Sequence, residues 1–236
     1  MSQRSWCLGT LAVLGVMIYM GSIAFAQPRG GMMGGGPMLS GLLHPKVGYG
    51  AVYESVNGQG ETSRMSMAVV GKEEVQGTTG YWMEISFADP RSGGDMVMKY
   101  LLAPQGTSVH FYRVIMKNAA LGVVEMPEMM TDRINQTVGQ GLSTTLAGMG
   151  KNLGTEVITT KAGPKKCTHW QRENNGVTSD VWINEDVYPT SLVKSVTKTA
   201  NGTHTMTLIE ELSNATTKII EQPKPFAMPG MRPPGN

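Results

Sequence analysis

The chain has 236 residues, 40% of them hydrophobic and 16% charged, with 20 lysines and arginines against 18 aspartates and glutamates and a net charge of +2. Both signs are interspersed along the sequence, which argues against nucleic acid and anionic membrane surfaces as partners. Two cysteines, Cys7 and Cys167, are too few for a disulfide framework.

Residues 1–26 carry one cation at Arg4, an apolar core from Leu8 to Met20, and the small residues Ala24 and Ala26 on either side of Phe25. This is the pattern of a signal peptide cleaved after Ala26. A membrane anchor needs about 20 predominantly apolar residues, whereas this run is shorter and interrupted by Gly15 and Gly21. Cys7 lies before the apolar core, not after it where a lipid attachment site stands. The expected destination is the periplasm or the secreted space, with residues 27–236 sufficient for one ordinary domain. Cys167 then has no partner for an intramolecular disulfide and is expected to be a buried small hydrophobe.

The stretch that follows, QPRGGMMGGGPMLSG, is too dense in glycine and proline for a packed element, so residues 27–45 are expected to form a flexible Gly/Met/Pro-rich arm. From there the pattern is mostly β. Candidate strands are 47–56, 63–71, 80–87, 95–102 and 108–117, separated by turn signals at Asn57-Gly58, Asp89-Pro90 with Gly93-Gly94, and Pro104-Gln105-Gly106. Residues 125–150 break the pattern. Pro127 in a first turn and Met130, Ile134 and Val138 at a spacing of four predict a helix, which Gly139 and Gly141 shorten or break. Strands resume at 154–160, 164–172, 177–183, 190–198 and 203–212. In 177–183, Val177, Val181 and Ile183 alternate with Thr178, Asp180 and Trp182, the period-2 signature of a half-buried strand. The C-terminal segment, with prolines at 223, 225, 229, 233 and 234, is expected to lie extended with Phe226 as an anchor, leaving 229–236 as a flexible tail.

Sorting the central strands by face places Met65, Met67 and Val69 together, then Tyr81, Met83, Ile85 and Phe87, then Met96, Met98, Tyr100 and Leu102, then His110, Tyr112, Val114 and Met116. These faces lack the charges of Arg64, Glu84, Lys99 and Arg113. They make either one concave surface of adaptable methionine and aromatic groups or an ordinary core.

Catalytic motifs are absent. His44, His110, His169 and His204 lack metal-ligand spacing, and there is no nucleophile elbow, P-loop, dinucleotide fingerprint or C-x-x-C. The adjacent pairs Glu73-Glu74, Glu185-Asp186 and Glu210-Glu211 would point to opposite faces of a strand and do not converge. No metal site, cofactor or enzymatic activity is therefore expected. Met32, Met33, Met38, Met228 and Met231 offer thioethers suited to Cu(I), but no histidine lies among them.

Gly163-Pro-Lys-Lys-Cys-Thr-His-Trp, then Asp180-Val-Trp-Ile-Asn-Glu-Asp, then Tyr188-Pro-Thr-Ser-Leu-Val-Lys resembles the strand progression of extracytoplasmic proteins related to the lipoprotein carriers LolA and LolB. The likeness extends in order of elements over about residues 47–228 and is greatest to members classed as domains of unknown function. It implies a mainly β (α+β) fold over residues 46–228, a curved antiparallel half-barrel of about ten to eleven strands with a short helical lid at Pro127–Gly150. It also implies a cavity for an apolar ligand such as a lipid or acyl chain, lined by Met65, Met67, Met83, Phe87, Met96, Met98, Tyr100, Tyr112, Met116, Met130 and Ile134. The lid-contacting arginine and the lipid anchor of the established carriers have no counterpart here, so fold can transfer without lipoprotein transport. The expectation is a monomeric, non-enzymatic exported protein that binds an apolar ligand and meets envelope proteins. Its alternatives are a structural or interaction protein with a filled core and a Cu(I)-binding protein that uses its arms.

Overall fold

The computed structural model describes residues 40–89, 94–137, 142–174, 177–199 and 202–226. The chain divides into two compact units, residues 1–34 and 35–236, and every described residue belongs to the second. The expected signal peptide, residues 27–39 of the arm, the tail 229–236 and all five arm methionines lie outside the described residues.

The elements in chain order are β1 (Gly41–Leu42), β2 (Tyr49–Val56), β3 (Thr62–Val75), β4 (Thr78–Asp89), β5 (Gly94–Gln105), β6 (Ser108–Asn118), β7 (Gly122–Glu125), α1 (Glu128–Thr137) and β8 (Leu142–Ser143). A 3-10 turn at Leu146–Met149 follows, then β9 (Lys151–Thr160), β10 (Gly163–Asn174), β11 (Val177–Ile183), β12 (Leu192–Thr199), β13 (Gly202–Ser213) and β14 (Lys224–Pro225). Twelve strands form one curved, open sheet in the order β14-β7-β6-β5-β4-β3-β2-β13-β12-β11-β10-β9. β9 and β14 do not pair, so the sheet is not a closed barrel. Most neighbours are joined by short connections, as the turn signals predict. The exceptions are the β2–β13 pair, which joins the two ends of the chain, and the parallel β14–β7 pair.

The sheet exceeds the ten candidate strands by β7 and β14. β7 is four residues long and β14 only two, too short for an alternation to register. Pro225 is tolerated in β14 because that strand lies on the sheet edge.

The cover of one face is built from pieces that are not in the sheet. β1 and β8 pair with each other in parallel, and the Leu43 N–H donates to the Ser143 carbonyl at 2.7 Å. This corrects the expected arm: residues 40–45 are held, Leu43 is buried in the core, and the His44 N–H donates to the Pro189 carbonyl. Gly41 has φ +121°, and a Cβ there would collide with the Thr190 carbonyl, so glycine is what lets this segment pass. α1 is a single short helix whose Met130 and Ile134 pack on the core, as their spacing predicts. Its Asn135 side chain accepts from the Phe111 N–H at 2.7 Å and donates to the Phe111 carbonyl at 3.0 Å. β7 pairs with β6 only from Ile115 to Asn118, so Asn135 takes the place of a strand partner where β7 is missing.

The opposite face of the sheet carries its own strap. After β13 the chain crosses strands β4 to β7, and Ile219 buries itself with Val97, Ile115 and Val123 beside Trp82. Glu84, 5% exposed, accepts from the Lys218 N–H at 2.8 Å and from the Thr217 hydroxyl, and lies 3.6 Å from Lys99 Nζ. Lys117 Nζ reaches Glu221 at 2.8 Å, and Lys218 Nζ reaches the Ser86 hydroxyl at 2.7 Å. The strap ends at β14, where the Phe226 N–H donates to the Glu125 carbonyl and Phe226 packs on the main core, the anchoring role expected of it.

Removing the Glu84 carboxylate leaves Lys99 and the Lys218 N–H without it. Glu84→Ala is expected to lower stability by about 3 kcal/mol, read as a lower urea midpoint at unchanged slope. Glu84→Gln, which keeps an acceptor, should lose less. A midpoint identical to the parent protein's would show that the strap holds without this carboxylate.

Candidate functional site

Strand register converts the sequence pattern into rows across the sheet, because residues directly opposite one another share a face. One row runs Ala51, Met67, Ile85, Met98, Met116 and Val124 from β2 to β7. Beside it run Tyr53, Met65, Phe87 and Met96 on one flank and Val69, Met83, Tyr100 and Val114 on the other. All of these except Val69 and Met96 are buried members of one contiguous cluster that also takes in Leu43, Met126, Leu142 and Met149 from the cover. Met96 is partly buried against it, as are Met130 and Ile134 of α1. Ten of the eleven predicted cavity residues are thus brought together.

Tyr112 is the exception. The β5–β6 register shifts between Leu101 and Leu102, which face Arg113 and Phe111, so Tyr112 is the extra residue of a bulge. Val109 and Phe111 enter the core ahead of the bulge and Val114 and Met116 after it, while Tyr112 turns away and meets His110 edge-on at 4.6 Å between ring centroids. A strict alternation carried through residue 112 reverses Val109 and Phe111 with His110 and Tyr112.

The methionine face is closed in this structure. Met67 and Met83 are 0% exposed and Met65, Met98 and Met116 no more than 6%. Burial pushes the Tyr53 and Tyr100 hydroxyls well above the ordinary phenol range, and Tyr53 donates to the Leu192 carbonyl at 3.1 Å. Two surface depressions among the described residues lie elsewhere. One of about 630 Å³ borders the outer side of α1 at Glu128, Met129, Asp132, Arg133 and Gln136. The other, of about 320 Å³, lies between Leu146, Asn152, Trp170, Ile183 and Asp186. None of the predicted cavity residues lines either.

A separate row on the other half of the sheet, which meets β2 at Ser55, is less apolar. Trp170, Val181, Ser195 and Met206 stand opposite one another across β10 to β13. The Trp170 indole N–H and the Ser195 hydroxyl are buried there without a hydrogen-bond partner among the described residues. Neither has a signature in the sequence.

A polar cluster occupies the other face of β10 and β11. His169 lies between Asp180 at 3.0 Å and Glu156 at 3.4 Å and stacks on Trp182 with 4.2 Å between ring centroids. Trp182 Nε1 donates to Glu156 at 2.5 Å, Gln171 donates to Asp180 at 2.9 Å, and Lys194 lies 5.1 Å from the Trp182 ring. The signal for this group was in the turn. Asn174 pairs with Val177, so the connection is the two residues Asn175-Gly176, and that length alone sets His169 opposite Trp182 and Gln171 opposite Asp180.

Cys167 is fully buried, its Sγ 3.4 Å from the Lys165 carbonyl, and burial raises its thiol to about 11. Among the described residues no group of three or more His, Cys, Asp or Glu is arranged to hold a metal ion.

No family model matches this chain, and no curated protein matches it. The solved structures it is similar to include three at low identity. A provisionally named lipoprotein of Parabacteroides distasonis shares 15% identity over 73% of this chain and 99% of its own, with a TM-score of 0.37. An exported protein of Bacteroides fragilis with a YmcC-like fold shares 12% over 73% and 99%, with a TM-score of 0.35. A DUF1329 family protein of Desulfovibrio piger shares 12% over 72% and 86%, with a TM-score of 0.32.

Two measurements check this layout. Met83→Ala is expected to cost about 3 kcal/mol of stability, as a cavity in a packed core does, and Tyr112→Ala less than about 1 kcal/mol. Comparable losses would contradict the placement of the bulge. Cys167 should resist a thiol reagent at neutral pH in the folded protein and react once the protein is unfolded. Its thiolate fraction in the folded state grows only as pH approaches 11.

Proposed function

We propose that this is an exported, non-enzymatic protein that takes an apolar ligand, such as a lipid or acyl chain, between the methionine face and the α1 cover. Export is supported by the pattern of residues 1–26, and no helix among the described residues is long and apolar enough to cross a membrane. The observation that carries the ligand reading is the floor itself: Met65, Met67, Met83, Met98 and Met116 on four adjacent strands, facing Met126, Met130 and Met149 from the cover. Unbranched thioether side chains repack around guests of different shape at low cost. The cover over them is thin. α1 has ten residues, exposes Met129, and its Asn135 side chain is hydrogen-bonded to the Phe111 backbone of β6.

In this reading the structure is the closed state, and entry of a ligand requires α1 to lift from β6. The polar Trp170 and Ser195 positions would then lie at the β12 end of the opened space. Nothing in the site supports turnover. His169 is engaged by two carboxylates and Trp182, and the buried Cys167 thiol is held protonated at neutral pH.

The near-zero exposure of Met67 and Met83 favours a second reading, in which the face is a filled core and the protein acts as a scaffold for envelope partners. Binding of a fluorescent long-chain fatty acid, together with native mass spectrometry of gently purified protein, separates the two. Asn135→Ala removes two hydrogen bonds that hold the cover, worth about 1–3 kcal/mol together. If the binding-competent state is the open one, apparent affinity should rise about 5- to 150-fold in this variant. Absence of saturable binding in both proteins, with no extractable adduct, leaves the filled core as the better account.

A further inference from the structure

The two edges of the sheet are finished differently. At the β7/β14 edge, Asn135 occupies the backbone of Phe111, the Glu125 carbonyl accepts from Phe226, and the last strand contains Pro225. At the other edge β9 pairs with β10 alone among the described residues, and eight of its ten residues are exposed. β9 contains no proline and only two charges, Lys151 and Glu156. Natural sheets guard long exposed edges with proline, lysine, bulges or a covering element. Here the one irregularity falls at Leu153, leaving Gly154–Thr160 in unbroken register with β10.

We propose that β9 is an interface, and that its partner is β9 of a second copy of this chain, paired antiparallel about a two-fold axis through Val157. The regular stretch Gly-Thr-Glu-Val-Ile-Thr-Thr is centred on Val157, so this register uses all of it with no overhang. A two-fold axis perpendicular to the sheet keeps the two faces on their own sides, so opposed residues must have the same parity, and a register centred on one residue meets that condition. It sets Val157, 63% exposed, against Val157 of the other copy and Thr155 against Thr159, cross-strand pairs of β-branched residues that stabilise sheets. Glu156, the one charge in the stretch, is already drawn to Trp182 and His169 of its own chain, which turns it away from its counterpart. A partner selected by charge would find little to read on this strand, whereas a second β9 meets an uncharged, β-branched copy of itself.

Sedimentation equilibrium of the exported protein over a wide concentration range is expected to show the mass double as concentration rises. Val157→Lys, at a position that is mostly exposed, should abolish the doubling without altering the circular dichroism or the thermal midpoint. Val157→Cys should form a disulfide-linked dimer under oxidation, because directly opposed residues in an antiparallel pair lie about 4.5–5.5 Å apart, within disulfide range. Lys72→Cys, an exposed position on β3, should not. A monomer at every concentration, a dimer that survives Val157→Lys, or equal cross-linking at Lys72→Cys and Val157→Cys would each overturn the proposal.

Discussion

Twelve strands that curve without closing must bury one whole face and have no second sheet to lie against it. Most of the structure follows from how that face is covered. The rows from Ala51 to Val124 and from Tyr53 to Met96 form a broad apolar floor, and the chain roofs it with segments that are individually small: β1 and β8, the 3-10 turn and α1. None of these could be stable alone, since a two-residue strand or a ten-residue helix gains little from its own hydrogen bonds. They are ordered by the floor, and the floor is kept from water by them.

An open sheet also has a back and two edges. The back is crossed by the segment from Asn214 to Gln222, whose Ile219 fills a small outer cluster while Glu84 gathers a backbone N–H, a hydroxyl and an ammonium. That segment belongs to the end of the chain, and it leads into β14 and Phe226, which finish one edge. A single stretch therefore braces strands β4 to β7 from behind and returns to the main core at their far side. Together with the β2–β13 pair, it fastens the beginning and end of the domain to the same central strands.

The strands and the division of residues into faces were legible in the sequence, because alternation over seven or more residues has one physical cause. Eight of the nine strand residues predicted to line the cavity share one face of the sheet, and Met130 and Ile134 pack on it from α1. Tyr112 does not, because one extra residue in β6 reverses every position before it, and a bulge leaves no mark in a pattern that reads equally well in either phase. Residues 40–45 were misread as part of an arm for a related reason. Their order comes from Ser143 and Pro189, far away in sequence, and glycine content says only that Gly41 can adopt φ +121°. The His169 cluster was recoverable from the length of the Asn175-Gly176 turn, since a two-residue connection fixes the whole hairpin register.

Whether the floor is a core or a binding surface turns on a property that burial does not distinguish. A core selected only for stability gains from branched side chains, which lose less entropy when packed and fill space in few rotamers. This floor instead places methionine at Met65, Met67, Met83, Met98 and Met116 and meets it with methionine from above. Each such residue gives up more conformational freedom in the closed state than isoleucine or valine would. If the face takes a guest, as proposed above, unbranched thioether side chains reshape around it at lower cost than branched ones would. Part of the cover is fastened by Asn135 to the Phe111 backbone, a pair of hydrogen bonds that water could replace if α1 lifted. In the ligand-binding reading proposed above, a floor of unbranched side chains and a roof fastened by hydrogen bonds that water can replace serve the same opening.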